Sequence, residues 1–183
     1  MAATLPRTNQ TRPQKILDFG AAHGATIAYL QSNFWGRLTV LDLIGRAPEI
    51  NALLSDEEAA EQRTLALEDC FEPCIGQAYD LVLMWDFPLY FQDTNLKWLN
   101  DWLDTMLTYD GAAHGFVCHN ATRSLEVKRW GIASSDQLEA EVGTGELPYR
   151  HLRGVLSRYL PNFEIDKSVL MKDGRLEFVI RRR

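Results

Sequence analysis

The sequence predicts an α/β fold: a three-layer sandwich around a seven-stranded, mostly parallel sheet that closes on a C-terminal antiparallel hairpin. Three observations carry that expectation. Short apolar runs alternate with helix-like segments along almost the whole chain, the pattern of strands joined by crossover helices. The run Tyr79-Asp80-Leu81-Val82-Leu83-Met84-Trp85 is nearly continuous in apolar residues, as suits a strand covered on both faces. Near the C-terminus two strand-like runs flank Lys172-Asp173-Gly174-Arg175, a tight-turn sequence, and strands joined by a tight turn are antiparallel.

Taken in order, residues 15–18 form the first strand, and the apolar spacing of Ala25, Ile27, Ala28 and Leu30 makes residues 24–33 a helix. Residues 38–42 are a second strand, ending like the first in an aspartate. Residues 49–62 read as a helix, with Ser55-Asp56-Glu57-Glu58 as an N-cap and acids in a first turn. Residues 64–67 are a short third strand running into Glu68-Asp69. After the fourth strand, residues 79–85, Thr94 caps a helix whose apolar stripe is Leu96, Leu99, Leu103, Met106 and Leu107, with Trp98 and Trp102 packing it on the sheet. Residues 115–118 are the fifth strand. Residues 120–147 break the rhythm, being polar with glycines at 143 and 145, and read as an irregular segment in which Trp130 lines a pocket. A helix over 149–159 and strands over 163–171 and 176–182 complete the order.

A length of 183 residues suits one domain, expected over residues 14–183 behind a flexible polar tail of residues 1–13. No apolar run approaches the ~20 residues of a membrane span, and the tail lacks the apolar centre of a signal peptide, so a cytoplasmic protein is expected. A net charge of −6 argues against a broad nucleic-acid surface, and the terminal Arg181-Arg182-Arg183 is expected to be solvated. Three cysteines, an odd number, fit a reducing compartment. Cys70 and Cys74 could face one another on a helical turn, but no second pair exists and His114 is far downstream, so no metal site is expected.

The chemistry concentrates in Asp18-Phe19-Gly20-Ala21-Ala22-His23-Gly24, where a strand ends in an acid and a turn of small residues opens a helix. Small side chains at 20, 22 and 24 let the backbone turn sharply and let a ligand lie against main-chain N–H groups. An acid closing the second strand, Asp42, suits a ribose hydroxyl pair. Read as the dinucleotide fingerprint G-x-G-x-x-G, Gly20, Ala22 and Ala25 fill the glycine positions, an imperfect match. Asp18, two residues before the turn, is placed to hold a cationic amino-acid group. Glu68-Asp69 falls where an acid reads an adenine amino group, and the closing hairpin is foreign to the plain dinucleotide fold.

With these residues the chain resembles the class I S-adenosylmethionine-dependent methyltransferases, a Rossmann-like family, over residues 14–183. The family's aspartate-x-glycine-x-glycine-x-glycine motif is matched by Asp18, Gly20, Ala22 and Gly24, with alanine at the middle glycine. The acid ending strand two is Asp42, the adenine-contacting acid is Asp69 or Glu68, and the aromatic-aspartate pair opening strand four is Tyr79-Asp80. The resemblance implies S-adenosyl-L-methionine as cofactor. Its site would be formed by Asp18, Gly20, Ala22, His23, Gly24, Asp42, Glu68, Asp69 and Trp85, with Leu43 or Phe71 against the adenine ring.

The acceptor is not named by any motif. Asp86-Phe87-Pro88-Leu89-Tyr90 is similar to the D-P-P-Y of enzymes methylating planar nitrogens, but Phe87 stands for the first proline and Leu89 is inserted. Asp86 and Tyr90, past strand four, and His119, past strand five, are the candidate catalytic residues. Few residues precede the first strand. The acceptor pocket is therefore expected from residues 86–93 and 120–147, or to be completed by a homodimer mate or another partner chain. Two other readings stand beside methyl transfer: an inactive binding subunit of this fold, and an NAD-dependent oxidoreductase.

Overall fold

The computed structural model describes residues 12–55 and 68–183. The expected strand at 64–67, residues 56–62 of the expected helix and most of the N-terminal tail lie outside the described residues.

β1 (Gln14–Asp18) pairs in parallel with β2 (Gly36–Val40) on one side and β3 (Tyr79–Trp85) on the other. β4 (Leu107–Cys118) continues the parallel sheet beyond β3. The final hairpin, β7 (Phe163–Leu170) and β8 (Arg175–Arg182), adds antiparallel to it through β8. The order among the described residues is β2-β1-β3-β4-β8-β7, six strands rather than the expected seven.

Residues 120–147 are not irregular. They form a separate two-stranded antiparallel ribbon, β5 (Glu126–Ile132) and β6 (Leu138–Glu146). No apolar alternation announces β6 because every residue from Glu139 to Glu146 is exposed.

Period-two alternation sorts the sheet into two faces. On one face Leu17, Val82, Met84, Ala113 and Val117 pack against α2 (Leu43–Ser55), α3 (Leu96–Met106) and α4 (Arg153–Tyr159). On the other, Ile16, Leu81, Leu83, Trp85 and Phe116 pack against Leu30 of α1 (Gly24–Asn33) and against Trp130 and Ile132 of the ribbon. The α3 stripe is as expected, with Leu96, Leu99, Leu103 and Met106 buried.

Several boundaries differ from the sequence reading: β2 spans Gly36–Val40 rather than 38–42, β4 starts at Leu107, expected in the helix stripe, rather than at 115, and α4 starts at Arg153 rather than at 149. Three further differences have a local reason. α2 starts at Leu43 although Gly45 and Pro48 read as breakers; burial of Leu43, Ala47 and Ile50 offsets a proline that costs about 3 kcal/mol inside a helix. Ser55 is the last described residue of that helix and lies within it instead of capping one, its hydroxyl donating back to Asn51 O at 2.8 Å. Thr94 sits in a 3-10 turn (Asp93–Asn95), and Asn95 precedes α3, tied through its side-chain amide to Asn51 Oδ1 at 2.7 Å.

The three terminal arginines are engaged, not free in solvent. Arg181 donates to Asp166 Oδ2 at 3.2 Å, Arg182 binds the Asp104 carboxylate and Leu107 O, and Arg183 donates to Phe163 O at 3.1 Å. Asp80, at the amino end of β3, accepts from Lys15 N at 2.9 Å, from Thr108 Oγ1 at 3.2 Å and from Arg12. It staples the strand starts at the sheet edge opposite the glycine turn. No helix among the described residues is long and apolar enough to cross a membrane.

Candidate functional site

The carboxyl ends of β1, β2 and β3 gather the turn, Asp42 and Trp85 at one edge of the sheet. The ladder runs on past the strands: Phe19 N donates to Leu83 O at 3.0 Å, Leu41 N to Asp18 O at 2.9 Å and Ile44 N to Phe19 O at 3.1 Å. α2 therefore starts directly from this edge. The only non-glycine residues with positive φ among the described residues are Asp42, at 46°, and Trp85, at 53°. Both flank the turn, and such strain persists where surrounding structure enforces it, commonly at functional sites.

Asp42 is exposed and carries no hydrogen bond to another described residue. Its carboxylate overhangs Gly45, where a Cβ would lie 3.5 Å from Oδ1. Glu68 and Asp69 are also exposed, Asp69 lying 3.7 Å from Arg46. These three acids, expected for the nucleoside, are open to solvent. Leu43 and Phe71, expected against the adenine, are instead buried in the helix-side core. Phe71 packs on Trp102 at 4.3 Å and Trp98 at 5.4 Å. These rings border a cavity of about 930 Å³ that also takes in Glu68 but no residue of the turn.

Asp18 points inward. Its Oδ1 accepts from Gly20 N at 2.8 Å and from Trp85 Nε1 at 2.6 Å. Burial pushes its pKa up to about 7 against an ordinary 3.8, although both hydrogen bonds oppose the shift. Ala22 and Gly24 are exposed, and a Cβ on Gly24 would meet nothing within 4 Å. Gly20 is buried beneath the Trp85 indole.

His23 caps α1, its Nδ1 accepting from Ala25 N at 3.2 Å, which leaves the proton of the neutral ring on Nε2. Nε2 is buried without a hydrogen bond, 3.6 Å from Glu141 Oε1. The ribbon lies across this residue. A Cβ on Gly131 would fall 2.2 Å from His23 Nδ1, so only glycine lets the backbone come so close. Ile132 N also donates to Thr26 Oγ1 at 3.0 Å, fastening β5 to α1.

Asp86 follows Trp85 and is almost wholly buried. Arg175 grips both of its oxygens, at 2.7 and 2.9 Å, and Trp130 Nε1 donates to Oδ2 at 2.9 Å. Burial pushes the Asp86 carboxyl up while Arg175 opposes it. The same guanidinium reaches Asp173 Oδ2 at 2.6 Å and Glu126 O at 2.6 Å, and Lys128 joins Asp173 at 2.7 Å. Lys128 and Arg175 both stand over the Trp130 ring, at 5.4 and 5.1 Å. This network bolts the ribbon to the final hairpin, and it leaves neither Asp86 oxygen without a protein partner.

Tyr90 is half-buried in a 3-10 turn (Phe87–Tyr90); burial, helped by the Asp86 charge, pushes its phenol up to about 12. It stays protonated near neutrality. His119 is exposed beyond β4, its backbone N–H donating to Gly174 O at 3.0 Å. Asp86, Tyr90 and Trp85 are thus brought together at the end of β3, and His119 lies at the end of the neighbouring β4. Arg175 was not legible as a site residue, because a buried arginine in a turn sequence has no local signature.

No protein-family model and no curated protein matches the sequence. Solved structures do match its fold. An S-adenosylmethionine-dependent methyltransferase from Clostridium acetobutylicum is similar over 92% of this chain and 83% of its own, with TM-score 0.55 and 10% identity. The chain has the class I S-adenosylmethionine-dependent methyltransferase fold. A glycopeptide N-methyltransferase complexed with S-adenosylmethionine is similar over 96% of this chain and 90% of its own, at TM-score 0.51 and 10% identity. The mitomycin 7-O-methyltransferase reaches TM-score 0.58 at 15% identity over the whole of this chain, which spans 52% of that protein.

The residues of this methyltransferase fold suit S-adenosylmethionine unevenly. Where the sequence reading expects the nucleoside, Asp42, Glu68 and Asp69 present open carboxylates. Where it expects the methionyl group, the residues do not fit in this conformation, because the Trp85 ring covers Gly20 and engages Asp18.

Proposed function

We propose that this chain binds S-adenosylmethionine at the carboxyl edge of its parallel sheet and transfers its methyl group to an acceptor. The observation that carries the reading is Asp42: an exposed, unpaired carboxylate held at φ 46°, one strand from the glycine turn. Packing gives no reason for an acid to be strained there, whereas a vicinal pair of ribose hydroxyls would be a charge-assisted partner worth ~1.5–3 kcal/mol. Glu68 and Asp69 stand as acceptors for an adenine amino group. A sulfonium methyl is already activated, so the chemistry supplied by the cofactor asks the protein mainly for orientation.

On this reading the acceptor approaches past Tyr90, between the turn after β3 and the ribbon. A protonated Tyr90 serves there as a hydrogen-bond donor. Asp86 positions Trp130 and Arg175, and through them the ribbon. A large acceptor, a second copy of the chain or another partner chain would contact this side.

Calorimetry tests the reading. Micromolar binding of S-adenosylmethionine is expected, reduced about 10- to 100-fold by Asp42→Ala. No binding at about 100 µM defeats it, and unchanged affinity in the Asp42 variant defeats the ribose assignment. Acceptor pools offered methyl-labelled donor then give the substrate class. Binding with no labelled product from any pool would leave the chain a donor-binding partner subunit, and preferential binding of NADH would make it an oxidoreductase.

A further inference from the structure

The Trp85 ring occupies space that the turn would otherwise offer to a ligand. Trp85 is 1% exposed and closes β3 with a left-handed backbone. Its indole stands edge-on to His114, with centroids 5.5 Å apart, and beside Phe116 at 6.2 Å. Its other edge meets bare backbone: a Cβ on Gly20 would fall 3.0 Å from Cδ1 and 3.2 Å from Nε1. The indole N–H donates to Asp18 Oδ1 at 2.6 Å. The first glycine of the turn is therefore covered and its acid engaged by the chain itself, while Ala22, Gly24 and Asp42 are open.

We propose that the Trp85 indole is a built-in plug of the methionyl end of the donor site, latched by Asp18 and displaced when the donor binds. This rests on the methyl-donor reading above. Three features support it. Asp18 accepts from the indole, and the same carboxylate is the natural partner for a cationic amino-acid end, which offers a stronger, charge-assisted bond. Trp85 is a bulky residue in a strained backbone, so the plugged arrangement is held by its contacts and not by local preference. Asp86, the next residue, is fixed by Arg175 and Trp130, so the ribbon keeps this anchor when the Trp85 ring moves. Burial of Asp18, which raises its pKa to about 7, also makes exchange of a neutral donor for a cationic one favourable.

The test compares wild type, Trp85→Ala and Trp85→Phe by calorimetry with two ligands: S-adenosylmethionine, and adenosine, which carries the nucleoside end alone. Removing the plug should tighten S-adenosylmethionine binding about ten-fold in Trp85→Ala and about three-fold in Trp85→Phe, which lacks the N–H latch but keeps much of the bulk. Adenosine affinity should stay within about two-fold in both variants. S-adenosylmethionine affinity that is equal or weaker in the variants overturns the plug and leaves the donor reading standing. Absence of binding by either ligand to all three proteins overturns the donor reading itself. If circular dichroism shows Trp85→Ala unfolded, Trp85→Phe decides by the same criterion.

Discussion

Replacing Asp18 by asparagine should abolish a pH dependence of stability that one buried carboxyl creates. Asparagine keeps an oxygen to accept from Gly20 N–H and Trp85 Nε1–H, so the turn geometry is conserved while the ionisation is lost. In the folded chain burial raises the Asp18 pKa to about 7, against 3.8 when unfolded. Below about pH 4 the group is protonated in both states and carries no penalty. Between about pH 4 and 7 the unfolded chain ionises while the folded chain keeps its proton, so stability falls as pH rises. Above about pH 7 both states are ionised and the loss is complete. Each pKa unit is worth about 1.4 kcal/mol, which makes the full loss on the order of 4 kcal/mol.

Urea unfolding of wild type and Asp18→Asn across this range gives the difference directly, since other carboxylates titrate alike in both proteins. The asparagine variant should gain steadily on wild type from about pH 4 and level off near pH 7–8. A difference that is flat with pH would show that Asp18 is not desolvated as its buried position implies. A wild type that gains on the variant as pH rises would show the carboxylate to be stabilised by its hydrogen bonds, and the reasoning would be reversed.

The Asp86–Arg175 pair makes a second prediction. Arg175→Met leaves a buried carboxylate with Trp130 alone and should cost about 3–5 kcal/mol in urea unfolding, whereas the double variant Arg175→Met with Asp86→Leu should cost less than the single one. A single-variant cost below about 1 kcal/mol would mean that the pair is effectively solvated. The two outer glycines of the turn should behave oppositely. Gly20→Ala forces the Trp85 ring to shift, and should cost about 1–2 kcal/mol with a changed near-ultraviolet dichroism. Gly24→Ala meets nothing and should be neutral, or gain up to about 1 kcal/mol as a helical residue. Equal melting shifts for the two would refute the packing at Gly20.

Much of the architecture was legible because it follows from periodicity. β3 and α1 fall at the residues that the apolar pattern marks, and the α3 stripe is buried as its spacing implies. The turn chemistry of Asp173-Gly174 likewise shows in Gly174, with φ 93°, joining β7 to β8. The ribbon was not legible, because β6 is exposed from Glu139 to Glu146 and its stability comes from contacts made far away in sequence. The early start of α2 was hidden for the same kind of reason: Pro48 is locally unfavourable, and the burial of Leu43 that outweighs it depends on the sheet edge being assembled.

The site divides along the same line. The sequence by itself determined that a strand ends in Asp18, that small residues follow, and that a second acid stands one strand away, since these are matters of residue type and order. Whether each acid is open or engaged was decided by tertiary structure alone. Asp42 is free because the chain turns left-handed and lifts it into solvent above Gly45. Asp18 is engaged because Trp85, 67 residues later, brings an indole N–H to it. Asp86 is bolted because Arg175 arrives from the last hairpin, 89 residues on. A local pattern specifies which groups are available, but burial and partners come from chain segments that meet only in the folded state, and those decide a carboxylate's charge and its reach.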